Sequence, residues 1–309
     1  MKMMFTSTAD RADWWRAELT KRIPDLELRR YPEIGDPSEI DYALVWKPKP
    51  GLLARCDRLR AIFSLGAGVD HILCDPALPK SVPLTRVVDP NLTQRMTEYV
   101  VQQVLACHRR QREYDRQQRE TVWAECYTPT AGERRVGIMG LGVLGEDAAS
   151  KLVQIGFPVA GWRRSRHAVP GVECFAGEAE LDAFLARTDI LVCLLPLTPE
   201  TGDMLDGRLF AKLPEGAYVI NAARGGHLVE GDLIRALDSG HLAGAVLDVF
   251  RTEPLPADHD FWRHPKIVVT PHVASISDPR TIADQVAENI RRDQAGEPLL
   301  NRVDLARGY

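Results

Sequence analysis

The sequence predicts an α/β protein built on parallel sheets, and three observations carry that reading. Short β-branched or aliphatic runs alternate with longer segments that set apolar residues at helical period, the pattern of βαβ units. The runs are almost continuously apolar, as strands are when helices cover both faces of their sheet. The most specific motif, a glycine-rich turn, begins at Gly140 of 309 residues. A single N-terminal dinucleotide-binding domain would carry it near its first residues, so a chain of this length is read as two domains.

Taken in order, the candidate strands are residues 42–46, 61–64, 84–88, 135–139, 158–162, 190–194, 217–220, 243–247 and 267–270. Segments 146–155, 178–186 and 230–238 read as helices between them. Residues 91–119 read as one long helix with an apolar set at Met96, Tyr99, Val100, Val104 and Leu105. Its second half turns polar at Arg109, Arg110, Gln111, Arg112 and Glu113, either a solvated face or a connector that meets a partner subunit.

Composition narrows the function classes. The chain is 45% hydrophobic and 27% charged, an ordinary globular balance. A net charge of −4 supplies no field to recruit nucleic acid or an anionic membrane. A small anionic substrate therefore needs a local cationic site. The six cysteines, at 56, 74, 107, 126, 174 and 193, form no Cys-x-x-Cys and join no histidine cluster, so no metal is expected. Cys193 lies in an apolar run and reads as core. Asp10, Arg11 and Asp13 precede any apolar segment, and the longest apolar run, 190–197, contains Pro196 and is too short to span a bilayer. A cytoplasmic protein is expected.

Residues 135–139 run straight into Gly140, Leu141, Gly142, Val143, Leu144 and Gly145, and a helical segment follows. In a G-x-G-x-x-G turn the first glycine permits the tight turn and the second lets backbone approach a pyrophosphate. The third lets helix and strand pack closely, and phosphate rests on the unpaired N–H groups of the helix start. With strand, helix and next strand in place, this is read as a dinucleotide site; the bland reading is a glycine-rich turn without a ligand. The next strand ends in Trp162, Arg163, Arg164, Ser165 and Arg166, with no acid to hold a ribose 2′-hydroxyl. Guanidinium groups bind a 2′-phosphate that a carboxylate would repel, so NADP(H) is expected over NAD(H). The alternative is a solvated basic loop.

Three further segments resemble motifs of the D-2-hydroxyacid dehydrogenase family, in its glyoxylate/hydroxypyruvate reductase branch. They are Val219-Ile-Asn-Ala-Ala-Arg224-Gly-Gly, Leu247-Asp248-Val-Phe-Arg-Thr-Glu253-Pro-Leu and Val269-Thr-Pro-His272-Val-Ala-Ser. Phe63-Ser-Leu-Gly66-Ala-Gly68-Val-Asp70, Leu194-Leu-Pro196-Leu-Thr198-Pro-Glu-Thr and the closing segment from Asn301 to Gly308 and Tyr309 follow the same family order. The resemblance implies that Arg224 holds the substrate carboxylate and carbonyl, that His272 is the acid/base and that Glu253 is its partner. The chemistry asks for such a set on its own terms. Hydride arriving at a ketone carbon leaves negative charge on oxygen, and an imidazole that titrates near neutrality can supply the proton. A carboxylate beside it favours the imidazolium and fixes the ring, while an arginine fork orients a carboxylate.

By the same resemblance the cofactor set extends to Trp162, Ser165, Leu195, Pro196, Thr198, Ala222 and Asp248, the last beside the nicotinamide amide. Ala67 and Gly68 would offer backbone N–H groups to the substrate carboxylate, though the segment could equally be a plain tight turn. Trp46 either lines the substrate pocket, as in the reductase branch, or packs in the core. The family fold implies a discontinuous flavodoxin-like substrate domain, 1–98 plus 283–309, a Rossmann cofactor domain, 99–282, and a cleft between them. A homodimer through the cofactor domain is implied as well. Competing readings are a dehydrogenase for another 2-hydroxy acid, a dinucleotide-sensing scaffold of the corepressor type, and a methyltransferase using the glycine turn.

Overall fold

Five parallel strands order as β2-β1-β3-β4-β5 in one sheet: β1 (Lys2–Thr6), β2 (Glu27–Arg30), β3 (Tyr42–Val45), β4 (Ala61–Ser64) and β5 (Leu84–Thr85). This is the flavodoxin-like order, with its switch point between β1 and β3. The structure, a computed structural model, describes residues 1–7 and 11–305. Gly308 and Tyr309 of the closing segment lie outside the described residues.

Along β1 the side chains alternate, as a strand requires. Met3 and Phe5 enter one core with Trp15 and Leu19 of helix α1 (Ala12–Arg22) and Ile282, Val286 and Ile290 of helix α9 (Pro279–Ala295). Met4 enters the other, with Ile62 and with Ile72 of the short helix α2 (Asp70–Leu73). Helix α9 starts on Asp278, whose side chain accepts from the Arg280 amide, with Pro279 in its first turn, and it ends on left-handed Gly296. The Tyr42 hydroxyl donates to Asp293 at 2.5 Å and ties β3 to that helix.

The second sheet has seven parallel strands among the described residues, ordered β12-β11-β10-β9-β6-β7-β8. They are β6 (Val136–Met139), β7 (Val159–Arg163), β8 (Val172–Ala176), β9 (Ile190–Cys193), β10 (Ala217–Asn221), β11 (Leu242–Leu247) and β12 (Ile267–Val269). The order reverses between β6 and β9, where open α/β sheets place their ligands. One face packs on α3 (Pro90–His108) and α5 (Val143–Ile155) through Val100, Val104, Ala148 and Leu152. The other packs on α6 (Leu181–Ala186), α7 (Gly207–Phe210) and α8 (Glu230–Asp238) through Phe184, Leu209 and Leu233. Cys193 is fully buried in that core, and burial pushes its thiol up to about 12.

The chain divides at 92/93 and 276/277, into Met1–Leu92 with the segment from Ser277 on, and Thr93–Ile276. Both crossings precede the 98/99 and 282/283 expected from the sequence. Packing explains the shift: α3 joins the second sheet's core from Met96, and α9 is already part of the first sheet's core at Ile282.

Two further expectations are corrected. The helix over 91–119 is broken into α3 and α4 (Gln111–Arg119), with Arg110 left-handed at φ 55. Cys107 is the last residue of α3 with a place in the core, so nothing holds the helix on its axis beyond His108. The strand expected over 84–88 forms a ladder only at Leu84 and Thr85; beyond them the Arg86 amide donates to the Asn301 carbonyl and the Val87 amide to the Gly66 carbonyl. β1, β2 and β8 were not among the sequence candidates; β2 and β8 are edge strands with exposed polar positions, which blurs their pattern.

Candidate active site

The glycine turn joins β6 to α5 at the switch point. Gly140 has φ +104, and a side chain there would meet the Leu194 carbonyl at 2.8 Å. A side chain at Gly145 would stand 2.1 Å from the Gly140 carbonyl oxygen, so both positions require bare backbone. Gly142 opens α5 with no side chain capping the helix start, and a Cβ there would meet nothing within 4 Å. Unpaired first-turn N–H groups beside open space fit a pyrophosphate. Leu141 is buried beneath the turn against Gly161, Leu144 packs on the same core, and Val143 is exposed.

On β7, Val159, Gly161 and Arg163 face α5, whereas Ala160 and Trp162 face the opposite core. The Trp162 side chain is 8% exposed in the core, and its indole N–H donates to the Gly177 carbonyl at 2.8 Å. Strand alternation is the physical reason for that placement. Arg163 faces Glu146 of α5, and Arg164 and Ser165 are exposed on the loop that follows. After β9, Leu195 is buried and the Thr201 hydroxyl donates to the Pro196 carbonyl at 2.7 Å while accepting the Thr198 amide at 2.9 Å. Ala222 is buried at the end of β10.

Arg224 follows β10. Asn221 is fully buried: its side-chain amide donates to the Arg224 carbonyl at 3.0 Å, and its oxygen accepts the Ala223 amide at 3.1 Å. The His227 ring, also fully buried, sets one nitrogen 3.0 Å from the Arg224 carbonyl and the other 3.3 Å from the Pro196 carbonyl. The next residue, Gly225, lies so close to Phe250 that a Cβ would be 1.9 Å from its carbonyl carbon. Sequence reasoning missed Asn221 and His227; a polar residue closing an apolar strand, with a histidine within two turns of Arg224, was the available signal.

Asp248 follows β11 and His272 follows β12, on neighbouring strands of one sheet. Asp248 is 1% exposed, and its carboxylate accepts from the Thr270 hydroxyl at 2.6 Å and from the amides of Val273 and Ala274 at 2.9 Å. Tyr99 of α3 supplies the donor to Thr270 at 2.8 Å, and burial raises its phenol, which stays protonated. The His272 amide donates to the Asp248 and Thr270 carbonyls at 2.8 and 3.0 Å, and the residue sits at φ 54. A non-glycine residue held in the left-handed region is a local strain that surrounding bonds must maintain.

The His272 Nδ1 lies 3.0 Å from Glu253, whose second oxygen accepts the Phe250 amide at 3.1 Å. With a carboxylate at Nδ1, that nitrogen carries a proton, leaving Nε2 as the one that can exchange a proton with a ligand. The His272 and Glu253 side chains are 34% and 22% exposed, covered enough to strengthen the pairing and open enough for access.

In the first unit, Gly66, Ala67 and Gly68 follow β4, half-buried. A Cβ on Gly66 would be 2.4 Å from the Trp46 ring, so the glycine lets the indole lie against the turn. Trp46 also lies against His71, ring centroids 4.2 Å apart and planes tilted by 56°, and packs partly on the core. Among the described residues no group of three or more His, Cys, Asp or Glu could hold a metal ion, and no helix is long and apolar enough to cross a membrane.

The chain as a whole is similar to known proteins. A profile of the D-isomer specific 2-hydroxyacid dehydrogenase NAD binding domain matches residues 101–274. The chain is 44% identical, over all of both sequences, to a glyoxylate/hydroxypyruvate reductase A of Serratia proteamaculans. It superposes with a TM-score of 0.93, at 46% identity, on a D-isomer specific 2-hydroxyacid dehydrogenase of Xanthobacter autotrophicus in complex with NADPH and MES, covering 100% of this chain and 99% of that one. An NADPH-dependent glyoxylate/hydroxypyruvate reductase of Sinorhizobium meliloti, in complex with NADP and sulfate, gives 0.92 at 45% identity with the same coverage.

The Asp248 network makes a prediction of its own. Asp248→Ala strands a hydroxyl and two amides, each worth about 1–3 kcal/mol when left unsatisfied in a buried place. Hydrogen exchange at Val273 and Ala274 should accelerate at least 100-fold; unchanged protection would show that the carboxylate does not hold the turn.

Proposed function

The chain belongs to the D-isomer specific 2-hydroxyacid dehydrogenase family, and from that premise we propose that it is an NADPH-dependent reductase of small 2-oxo acids, turning glyoxylate into glycolate and hydroxypyruvate into glycerate. The observation that carries the reading is the His272–Glu253 hydrogen bond, built on the sheet that also bears the glycine turn and Arg224. The names of the relatives support the substrate class, and the NADPH and NADP bound in two of them support the cofactor.

In this reading Gly140–Gly145 would hold the pyrophosphate of the dinucleotide and Arg163 and Arg164 its 2′-phosphate, and the bound cofactor would supply the hydride. Leu195, Pro196, Thr198 and Ala222 would line it, with Asp248 beside the nicotinamide amide. Arg224 takes the substrate carboxylate and carbonyl oxygen in its fork. His272 gives the Nε2 proton to the carbonyl oxygen as negative charge develops there. Glu253 keeps the ring in place through Nδ1. The six free cysteines accord with a reducing, cytoplasmic setting.

Absorbance at 340 nm, crossing NADPH and NADH with glyoxylate, hydroxypyruvate and pyruvate, tests the assignment. Fast NADPH oxidation with the first two is expected, and His272→Ala should lower turnover by about 10²- to 10⁴-fold. Tight NADPH binding without turnover on any 2-oxo acid would favour the sensing scaffold instead. The Arg163→Ala, Arg164→Ala double variant should raise the KM for NADPH far more than for NADH, and equal effects would reject the 2′-phosphate role.

We further propose a homodimer formed through the cofactor unit. The segment after α4 leaves Trp123 wholly exposed and Tyr127 80% exposed, costly for a monomer in water. Sedimentation equilibrium should return twice the chain mass, and a fully active monomer would refute this.

A further inference from the structure

The loop after β7 contains more charge than phosphate recognition alone explains. Arg163 is 3.9 Å from the Glu146 carboxylate, and His167 Nε2 is 3.2 Å from that same oxygen. Glu146 stands in the first turn of α5, immediately after Gly145. The neighbouring charges are committed elsewhere. Arg166 pairs with Glu180, whose other oxygen accepts the Ala176 amide at 2.7 Å. Glu200, on the loop after β9, has its carboxyl held below its usual range first by the Thr198 hydroxyl and least by the charge of Arg164. Arg163, by contrast, donates no side-chain hydrogen bond to any described residue, and its pairing with Glu146 is at the outer limit of an ion pair.

A carboxylate is an odd neighbour for a phosphate site. It repels the dianion that the arginine attracts, and near a surface a repulsion between such neighbours is worth about 3- to 10-fold in affinity. An imidazole against the same carboxylate can cancel that repulsion, but only as the imidazolium. Histidine is the side chain whose charge changes readily near neutral pH, and a second anion brought beside it favours the charged form.

We propose that Glu146 and His167 are a specificity-setting pair for the adenosine 2′-phosphate: Glu146 opposes the phosphate, and His167 takes up a proton on binding to lift that opposition. The inference rests on the NADP(H) reading above. Its sign is definite. Uptake of a proton on binding means that preference for a 2′-phosphate over a 2′-hydroxyl grows as pH falls. The effect is best read above pH 6.5, since a phosphate monoester itself titrates near about pH 6.

The test is calorimetric titration of the whole protein with adenosine 2′,5′-bisphosphate and with adenosine 5′-monophosphate, from pH 6.5 to 8.5, in two buffers of different ionisation enthalpy. The wild type should prefer the bisphosphate, increasingly so toward pH 6.5, with buffer-dependent proton uptake. His167→Gln should still bind the bisphosphate but lose both the uptake and the pH trend. Glu146→Gln should bind the bisphosphate about 3- to 10-fold more tightly, with monophosphate affinity unchanged as a control on folding. A wild-type preference without proton uptake, or weaker bisphosphate binding by Glu146→Gln, would overturn the pair's role while leaving NADP(H) use intact. A wild type that does not distinguish the two ligands would overturn the NADP(H) reading and this inference together.

Discussion

The buried carboxylate of Asp248 is the constraint on which the His272 side of the site depends. A charge at 1% exposure is tolerable only when its oxygens are filled, and here a hydroxyl and two amides of residues 270–274 fill them. The demand works in both directions: the carboxylate is satisfied by the turn, and the turn is shaped by the carboxylate. His272 is thereby kept in a left-handed conformation that an unsupported histidine would leave. Glu253, itself held by the Phe250 amide, then fixes the ring at Nδ1. Backbone and side chain of one histidine are set by two different carboxylates.

Clearance of backbone by backbone has the same role elsewhere in the unit. Gly140 against Leu194, Gly145 against Gly140 and Gly225 against Phe250 all mark places where a Cβ would collide with main chain. Each lies just beyond the carboxyl end of a parallel strand, where the loops must pack tightly and still present N–H groups or an arginine outward. Asn221 and His227 add polar anchors at the Arg224 carbonyl, so that this loop is held by its main chain while its guanidinium can serve a ligand.

Legibility in the sequence followed burial. Interior strands such as β4 and β9 show as continuous apolar runs because helices cover both their faces, whereas edge strands β2 and β8 carry solvent-facing polar residues that hide them. The polar run after His108 kept helical composition, yet the chain turned at Arg110 because no core contact continued along the axis. Trp162 stood one position from Arg163 in a motif of cofactor residues, and strand alternation sent it to the other face. Tyr99 read as one more apolar residue of a helix. Its hydroxyl reaches Thr270, 171 residues further along the chain.

The sequence by itself determined the α/β class, the glycine turn with the basic residues beyond the next strand, and the short motifs that contain Arg224, Glu253 and His272. These are local: periodicity, turn chemistry and short motifs depend on neighbours in the chain. Only the tertiary structure decided which groups satisfy one another, such as Tyr99, Thr270 and Asp248, or Glu146 with Arg163 and His167. Such partnerships arise where packed elements bring distant polar atoms within hydrogen-bonding range, and no pattern along the chain records that distance.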